Sequence, residues 1–81
     1  MADKKFYSVG KTAKLVGMTA ETLRHYDRVG LIRPVKDEWT KYRRYTDRDV
    51  IRLNIVSALR SMGIPLREIK TMLDANDIQK L

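Results

Sequence analysis

Cysteine is absent from the 81 residues. That excludes disulfides and thiolate metal sites. The one histidine, His25, does not build a zinc site alone, so neither a metal nor a cofactor is expected. No apolar run approaches the about 20 residues a membrane span requires. The N-terminus "MADKKFYSV" starts basic but lacks the apolar core of a signal peptide. Acidic residues are scarce beside basic ones: Asp+Glu 10 against Lys+Arg 17, a formal net charge of +7. That balance favours a polyanionic partner, nucleic acid first and an anionic membrane surface second, although many small domains are simply basic. The expected location is cytoplasmic and nucleoid-associated. A chain this short makes one domain with a small core.

What is present reads as short helices and a hairpin. "FYSVG" is β-leaning and stops at Gly10. In "KTAKLVGM", Ala13, Leu15, Val16 and Met18 fit a helix of about two turns that Gly17 ends. Thr19 then resembles an N-cap with Glu21 in the first turn, and a helix is expected to about Val29. Gly30 suits the position after it, and Pro34 forbids continuation. Two short helices joined at Gly17–Met18–Thr19 have the spacing of a helix-turn-helix. Leu31 to Val35 and Lys41 to Thr46 flank the charged turn Lys36–Glu38 and predict a small β-hairpin, a wing. Thr46 caps the longest helix, with Asp47 and Asp49 in its first turn. Ile51, Ile55, Ala58, Leu59 and Met62 form its expected apolar stripe; Val50, Leu53 and Val56 fall outside it and predict a second packing neighbour. After Gly63, Pro65 opens a helix with Leu66, Ile69, Met72 and Leu73 on one expected buried face. In the tail "DANDIQKL", Ile78 and Leu81 would fit the start of a further helix.

In a helix-turn-helix the second helix enters the major groove with its N-terminal residues near base edges. Here those are Thr19, Ala20, Glu21 and Thr22, with Arg24 one turn on; Leu23 and Val29 are expected to hold the helix to the core while Arg24, His25 and Tyr26 face a backbone. Glu21 either accepts from a cytosine N4 or only complements the helix dipole. Tyr26 combines a packing ring with a hydroxyl that can donate to phosphate. His25 is either a phosphate donor or an exposed neutral side chain. The wing "TKYRRY" sets Tyr42 and Arg44 on one face and Lys41, Arg43 and Tyr45 on the other; backbone contacts from it would position the protein without reading sequence. The alternative is a solvated charge run. Trp39, near the hairpin tip, would be a contact residue or a base wedge if exposed and a prop for the wing if half buried; the prop is expected.

Two stretches, "YSVGKTAKLVGMTAETLRHYDRVGLIRP" and "KYRRYTDRDVIRLNIVSALRSMGIPLREIKTML", closely resemble the DNA-binding domain of the MerR family of bacterial transcription regulators. The resemblance covers Tyr7 to Leu73. It implies a mainly α fold, a winged helix-turn-helix of about four helices plus the hairpin wing, within a domain at 1–74. Residues 75–81 would be a tail that starts a truncated dimerisation helix. It further implies sequence-specific binding of double-stranded promoter DNA, with Arg43 the chief phosphate partner in the wing. A homodimer is expected of a full-length protein and a monomer or weak dimer of this chain. RNA polymerase is a partner the resemblance allows. The family carries glycine before "YR" at the wing turn; this chain has Lys41, which leaves the turn geometry open. Either an excised DNA-binding domain or a natural stand-alone member is expected, with the family's long dimer helix absent or only begun at "NDIQKL" and its effector region missing, so metal or drug sensing is not carried over.

Against this stand a small excisionase-like or nucleoid-architectural protein that binds DNA cooperatively, and an enzyme. The chain has no glycine-rich phosphate loop, metal cluster or acid/base pair at informative spacing, so no catalytic residue is assigned. No helix separates a basic face from a strongly apolar exposed one, as membrane-surface binding would require.

Overall fold

Three helices begin at a hydroxyl. Ser8 Oγ accepts from the Lys11 N–H at 3.0 Å and Thr19 Oγ1 from the Thr22 N–H at 3.0 Å. Thr46 Oγ1 accepts from the Asp49 N–H at 3.3 Å while Asp49 Oδ2 accepts from the Thr46 N–H at 2.9 Å, a reciprocal capping box. The computed structural model describes residues 5–77. Its elements run α1 (Val9–Val16), α2 (Ala20–Arg28), β1 (Val35–Lys36), β2 (Arg43–Arg44), α3 (Asp47–Ser61) and α4 (Leu66–Asp77). The mainly helical winged helix-turn-helix expected from the sequence is the fold observed.

Helix α1 starts two residues before Lys11 because Ser8 caps it, and only Tyr7 of "FYSVG" pairs as a strand, with Tyr45 (N···O 2.7 and 2.8 Å). Gly17 ends α1 at φ 69°, a left-handed conformation that glycine enters without steric cost, and the chain reverses into α2. The hairpin is antiparallel, Val35 opposite Arg44 and Lys36 opposite Arg43. It is shorter than the sequence predicts, because Leu31, Ile32 and Pro34 are buried in the domain instead of extending β1.

Helix α1 packs on α2 and α3, and α3 on α4. Leu23, Leu31, Ile32, Tyr45, Leu53, Val56 and Ile69 form the core between them. The buried stripe of α3 is not the expected one. Leu53 and Val56 are buried, with Val50 and Leu59 packed against them, whereas Ile51, Ile55, Ala58 and Met62 are exposed. Both rows recur at helical spacing, so periodicity alone does not choose between them; the positions of α1 and α4 do. On α4, Ile69 and Leu73 are buried as expected, but Met72 faces outward. The helix continues across position 74 to Asp77, and Ile78 and Leu81 lie outside the described residues.

One polar bridge ties these parts together. Arg52 on α3 donates from Nε to the Leu31 carbonyl at 2.6 Å and from Nη2 to Asp74 Oδ1 at 2.9 Å. Lys70 Nζ donates to Asp74 Oδ2 at 3.0 Å. The segment after α2 is thereby held to α3 and α4, which sets the base of the wing.

Candidate nucleic-acid interface

Helix α2 turns Leu23 and Tyr26 into the core and leaves Glu21, Arg24, His25 and Arg28 outward. Successive helix positions differ by about 100°, so positions 24, 25 and 28 share an outer face while 26 turns away. Tyr26, expected to face the backbone with Arg24 and His25, is only 8% exposed; its ring packs in the core and stands 6.0 Å from the His25 ring, centroid to centroid. Val29, expected to hold the helix to the core, is 41% exposed, because Leu31 fills that place after the turn at Gly30. Thr19 is occupied as the N-cap, and Ala20 and Thr22 are half-buried beside it. Glu21 Oε1 lies 4.0 Å from Arg24 Nη1 with both side chains largely exposed, an ion pair of little energetic weight.

The wing approaches α2 through a close polar contact. Arg43 Nε donates to Asp27 Oδ2 at 2.6 Å. A guanidinium has five N–H donors, so this bond orients the group and leaves its terminal nitrogens directed elsewhere. Arg44, on the opposite face of the strand, is engaged with the wing itself: Nη1 donates to Asp37 Oδ2 at 3.1 Å, and the guanidinium lies 4.2 Å from the Phe6 ring centroid. Tyr45, on the Arg43 face, is fully buried, and burial raises its hydroxyl pKa. Alternation thus delivers one arginine to α2 and one to the hairpin's own turn.

That turn has an unusual residue. Lys41 takes φ 68°, so the lysine adopts the left-handed geometry for which glycine is favoured. Its N–H donates to the Asp37 carbonyl at 2.9 Å, which closes the turn. Trp39 is not a prop: it is 91% exposed at the tip. The hairpin is too short to fold its tip back onto the domain. Tyr42 is exposed as well.

Between α2 and the wing lies a cleft of about 540 Å³. Arg24, Asp27 and Arg28 line it from α2, Lys41, Tyr42 and Arg43 from the wing, and Ser8 and Val9 from the start of α1. Among the described residues, four cations face it against one carboxylate. Arg28 and Asp27 line the cleft too, though neither was among the residues assigned to DNA from the sequence. The signal for Arg28 was its i+4 spacing from Arg24; for Asp27 there was none, since its partner is sixteen residues away. Among the described residues no cluster of histidine, aspartate and glutamate is placed to hold a metal ion, and no helix is long and apolar enough to cross a membrane.

Known proteins resemble this chain in sequence and fold. Residues 7–76 match the sequence profile described as MerR HTH family regulatory protein. The HTH-type transcriptional activator TipA of Streptomyces coelicolor is 43% identical over 68 residues, which cover 84% of this chain and 27% of that protein. The multidrug-efflux transporter 1 regulator of Bacillus subtilis is 38% identical over 72 residues, covering 88% of this chain and 26% of that one. Among solved structures, HiNmlR, a regulator lacking the sensor domain and bound to promoter DNA, superposes with a TM-score of 0.82 at 35% identity, covering 91% of this chain and 56% of that one. This chain therefore spans about a quarter of the two regulators, matching them in one region.

Proposed function

Since the chain belongs to the MerR family of helix-turn-helix regulatory proteins, we propose that it binds double-stranded promoter DNA with α2 in the major groove and the wing on the adjoining phosphate backbone. The observation that carries this reading is the cleft in which Arg24 and Arg28 of α2 converge with Lys41 and Arg43 of the wing. A duplex backbone is a line of single negative charges, and a cleft with a three-charge positive excess is its electrostatic complement.

In this arrangement Thr19, Ala20, Glu21 and Thr22 lie nearest base edges at the start of α2, the end that reads sequence in helix-turn-helix proteins. Small side chains at positions 19, 20 and 22 permit close approach. Arg24, His25 and Arg28 follow the strand, and Lys41, Tyr42 and Arg43 meet it from the other side. Arg44 supports the wing, and Tyr26 acts through packing of α2. Promoter binding by HiNmlR, on the same fold, supports this reading. A homodimer on a two-fold symmetric site in the full-length protein, action on RNA polymerase, and a place in the cytoplasm at the nucleoid belong to the same proposal.

Selection from a randomised duplex pool at two salt concentrations, followed by sequencing, tests it. The expected result is an enriched motif, with affinity that falls with a log–log salt slope of about −3.6 for four phosphate contacts. Binding that ignores salt, or no binding to any duplex, overturns it. An inverted pair of half-sites supports the dimer; a single motif leaves one domain acting alone.

A further inference from the structure

Trp39 is the only tryptophan in the chain, and it stands almost wholly in solvent at the wing tip. Its backbone is nevertheless fixed. Asp37 Oδ1 accepts from the Trp39 N–H at 2.8 Å and from the Thr40 N–H at 2.9 Å. Asp37 Oδ2 accepts from Arg44, whose guanidinium is seated over Phe6. The Asp37 N–H donates to the Tyr42 carbonyl at 2.9 Å, and the Thr40 hydroxyl accepts from the Tyr42 N–H at 3.2 Å. The tip is therefore an ordered turn that presents a large aromatic ring, and little of its ordering cost remains for a binding event.

The position of that ring relative to a duplex follows from topology. A phosphate strand running through the cleft between α2 and the wing separates two grooves. With α2 in the major groove on one side of the strand, residues beyond Lys41 and Arg43 lie on the other side, over the minor groove. That groove is about 6 Å wide, too narrow for a helix but open to a flat ring entering edge-on. Its walls are deoxyribose, an apolar surface that an indole can cover. Apolar side chains inserted there are an established means of holding DNA.

We propose that Trp39 is a DNA-contacting residue that packs its indole against the sugars of the minor groove next to the major groove occupied by α2. This assignment rests on the duplex-binding reading above. Lys36 and Lys41 flank the tip with positive charge, and Glu38 is the one carboxylate side chain at the tip not held by a wing arginine. An uncharged contact of this kind adds affinity without releasing counterions, unlike the Lys41 and Arg43 contacts assigned to the wing.

The position of the only indole makes the test direct. The full 81-residue chain is titrated with a mixed-sequence duplex of two helical turns at low salt. Anisotropy of an end-labelled duplex reports binding, and Trp39 emission with the unlabelled duplex reports the contact. Saturation is expected to shift the emission to shorter wavelength and to protect it from acrylamide. Trp39→Ala is expected to weaken binding about tenfold, the low end of the range for aromatic stacking on bases, with the salt slope unchanged and the melting temperature unaltered. Trp39→Phe should recover part of the loss. If the duplex binds while Trp39 stays as accessible to acrylamide as in the free protein, or if Trp39→Ala binds as tightly as the parent, the assignment is wrong and the tip is left for a protein partner. If no duplex binds, the duplex-binding reading itself fails, and the anisotropy alone shows it.

Discussion

Arg43 Nε lies 2.6 Å from Asp27 Oδ2, so the wing is fastened to α2 by an ion pair spanning sixteen residues of sequence. The contact does two opposed things. It aims the guanidinium at the cleft, and it places a carboxylate beside the expected path of a phosphate.

The two partners should therefore respond differently. Arg43→Ala is expected to weaken binding to all duplexes alike and to flatten the salt slope by about one unit, as loss of one phosphate contact does. Asp27→Asn removes the carboxylate while keeping a hydrogen-bond acceptor. Binding to non-specific duplexes should tighten several-fold, and the ratio of specific to non-specific affinity should fall because Arg43 is less firmly aimed. Competition binding at two salt concentrations measures both; a change in base preference for Arg43→Ala would mean that the wing reads sequence.

Lys41 occupies a glycine conformation, φ 68°. Lys41→Gly is expected to raise stability by about 0.5–1 kcal/mol through relief of that conformation, and at the same time to weaken DNA binding through loss of one cation. Thermal melts and salt-dependent titrations of the same variant should show the opposite signs. If binding is unaffected, the lysine is a solvated charge and does not belong to the interface.

Glu21 is exposed at the start of α2, with only a 4.0 Å ion pair to Arg24. If it accepts from a cytosine N4, Glu21→Ala should alter preference at a single base position by roughly 1–3 kcal/mol. An unchanged selected motif would leave it the dipole role alone, seen as a loss of a few tenths of a kcal/mol to about 1 kcal/mol in helix stability.

Arg52 and Asp74 should carry stability and its acid dependence. Arg52→Met leaves the Leu31 carbonyl without its charged donor and is expected to cost about 2 kcal/mol. Lys70, and with it Arg52, holds the Asp74 carboxyl below its usual range, as the Thr40 and Trp39 N–H groups do for Asp37. A lowered carboxyl pKa adds stability that is present above the unfolded value of about 4 and is lost as pH falls through the folded one. Melting temperature should therefore drop below about pH 4. Asp74→Asn should be less stable at neutral pH and show a shallower acid decline; an identical decline would place the acid sensitivity elsewhere.

Much of the wing-and-helix plan was legible because its signals are local. Thr19 and Thr46 announced two helices through capping chemistry that acts within one turn, and Gly17 and Gly30 marked where two of them stop. Arg24 was readable as an outward side chain from its distance to Leu23. Val29 was misplaced, and Tyr26 took the packing role of its two, because the burial of a residue at the end of a short helix depends on the path of the next few residues, here on where Leu31 packs. The exposure of Trp39 was unreadable for a related reason. A hairpin tip is buried or free according to the length of its strands, and these end early because Leu31, Ile32 and Pro34 are drawn into the domain.

Charge balance, the order of helices and hairpin, and the alternation that separates Arg43 from Arg44 were properties of the chain before it folded, because each is set by composition or by neighbours a few residues away. The choice of Leu53 and Val56 over Ile51 and Ile55 as the buried row of α3, the pairing of Arg43 with Asp27, and the gathering of Arg28 and Lys41 around one cleft came from packing. Each depends on groups distant in sequence meeting in space, and two rows with the same helical spacing are told apart only by which neighbour arrives to cover one of them.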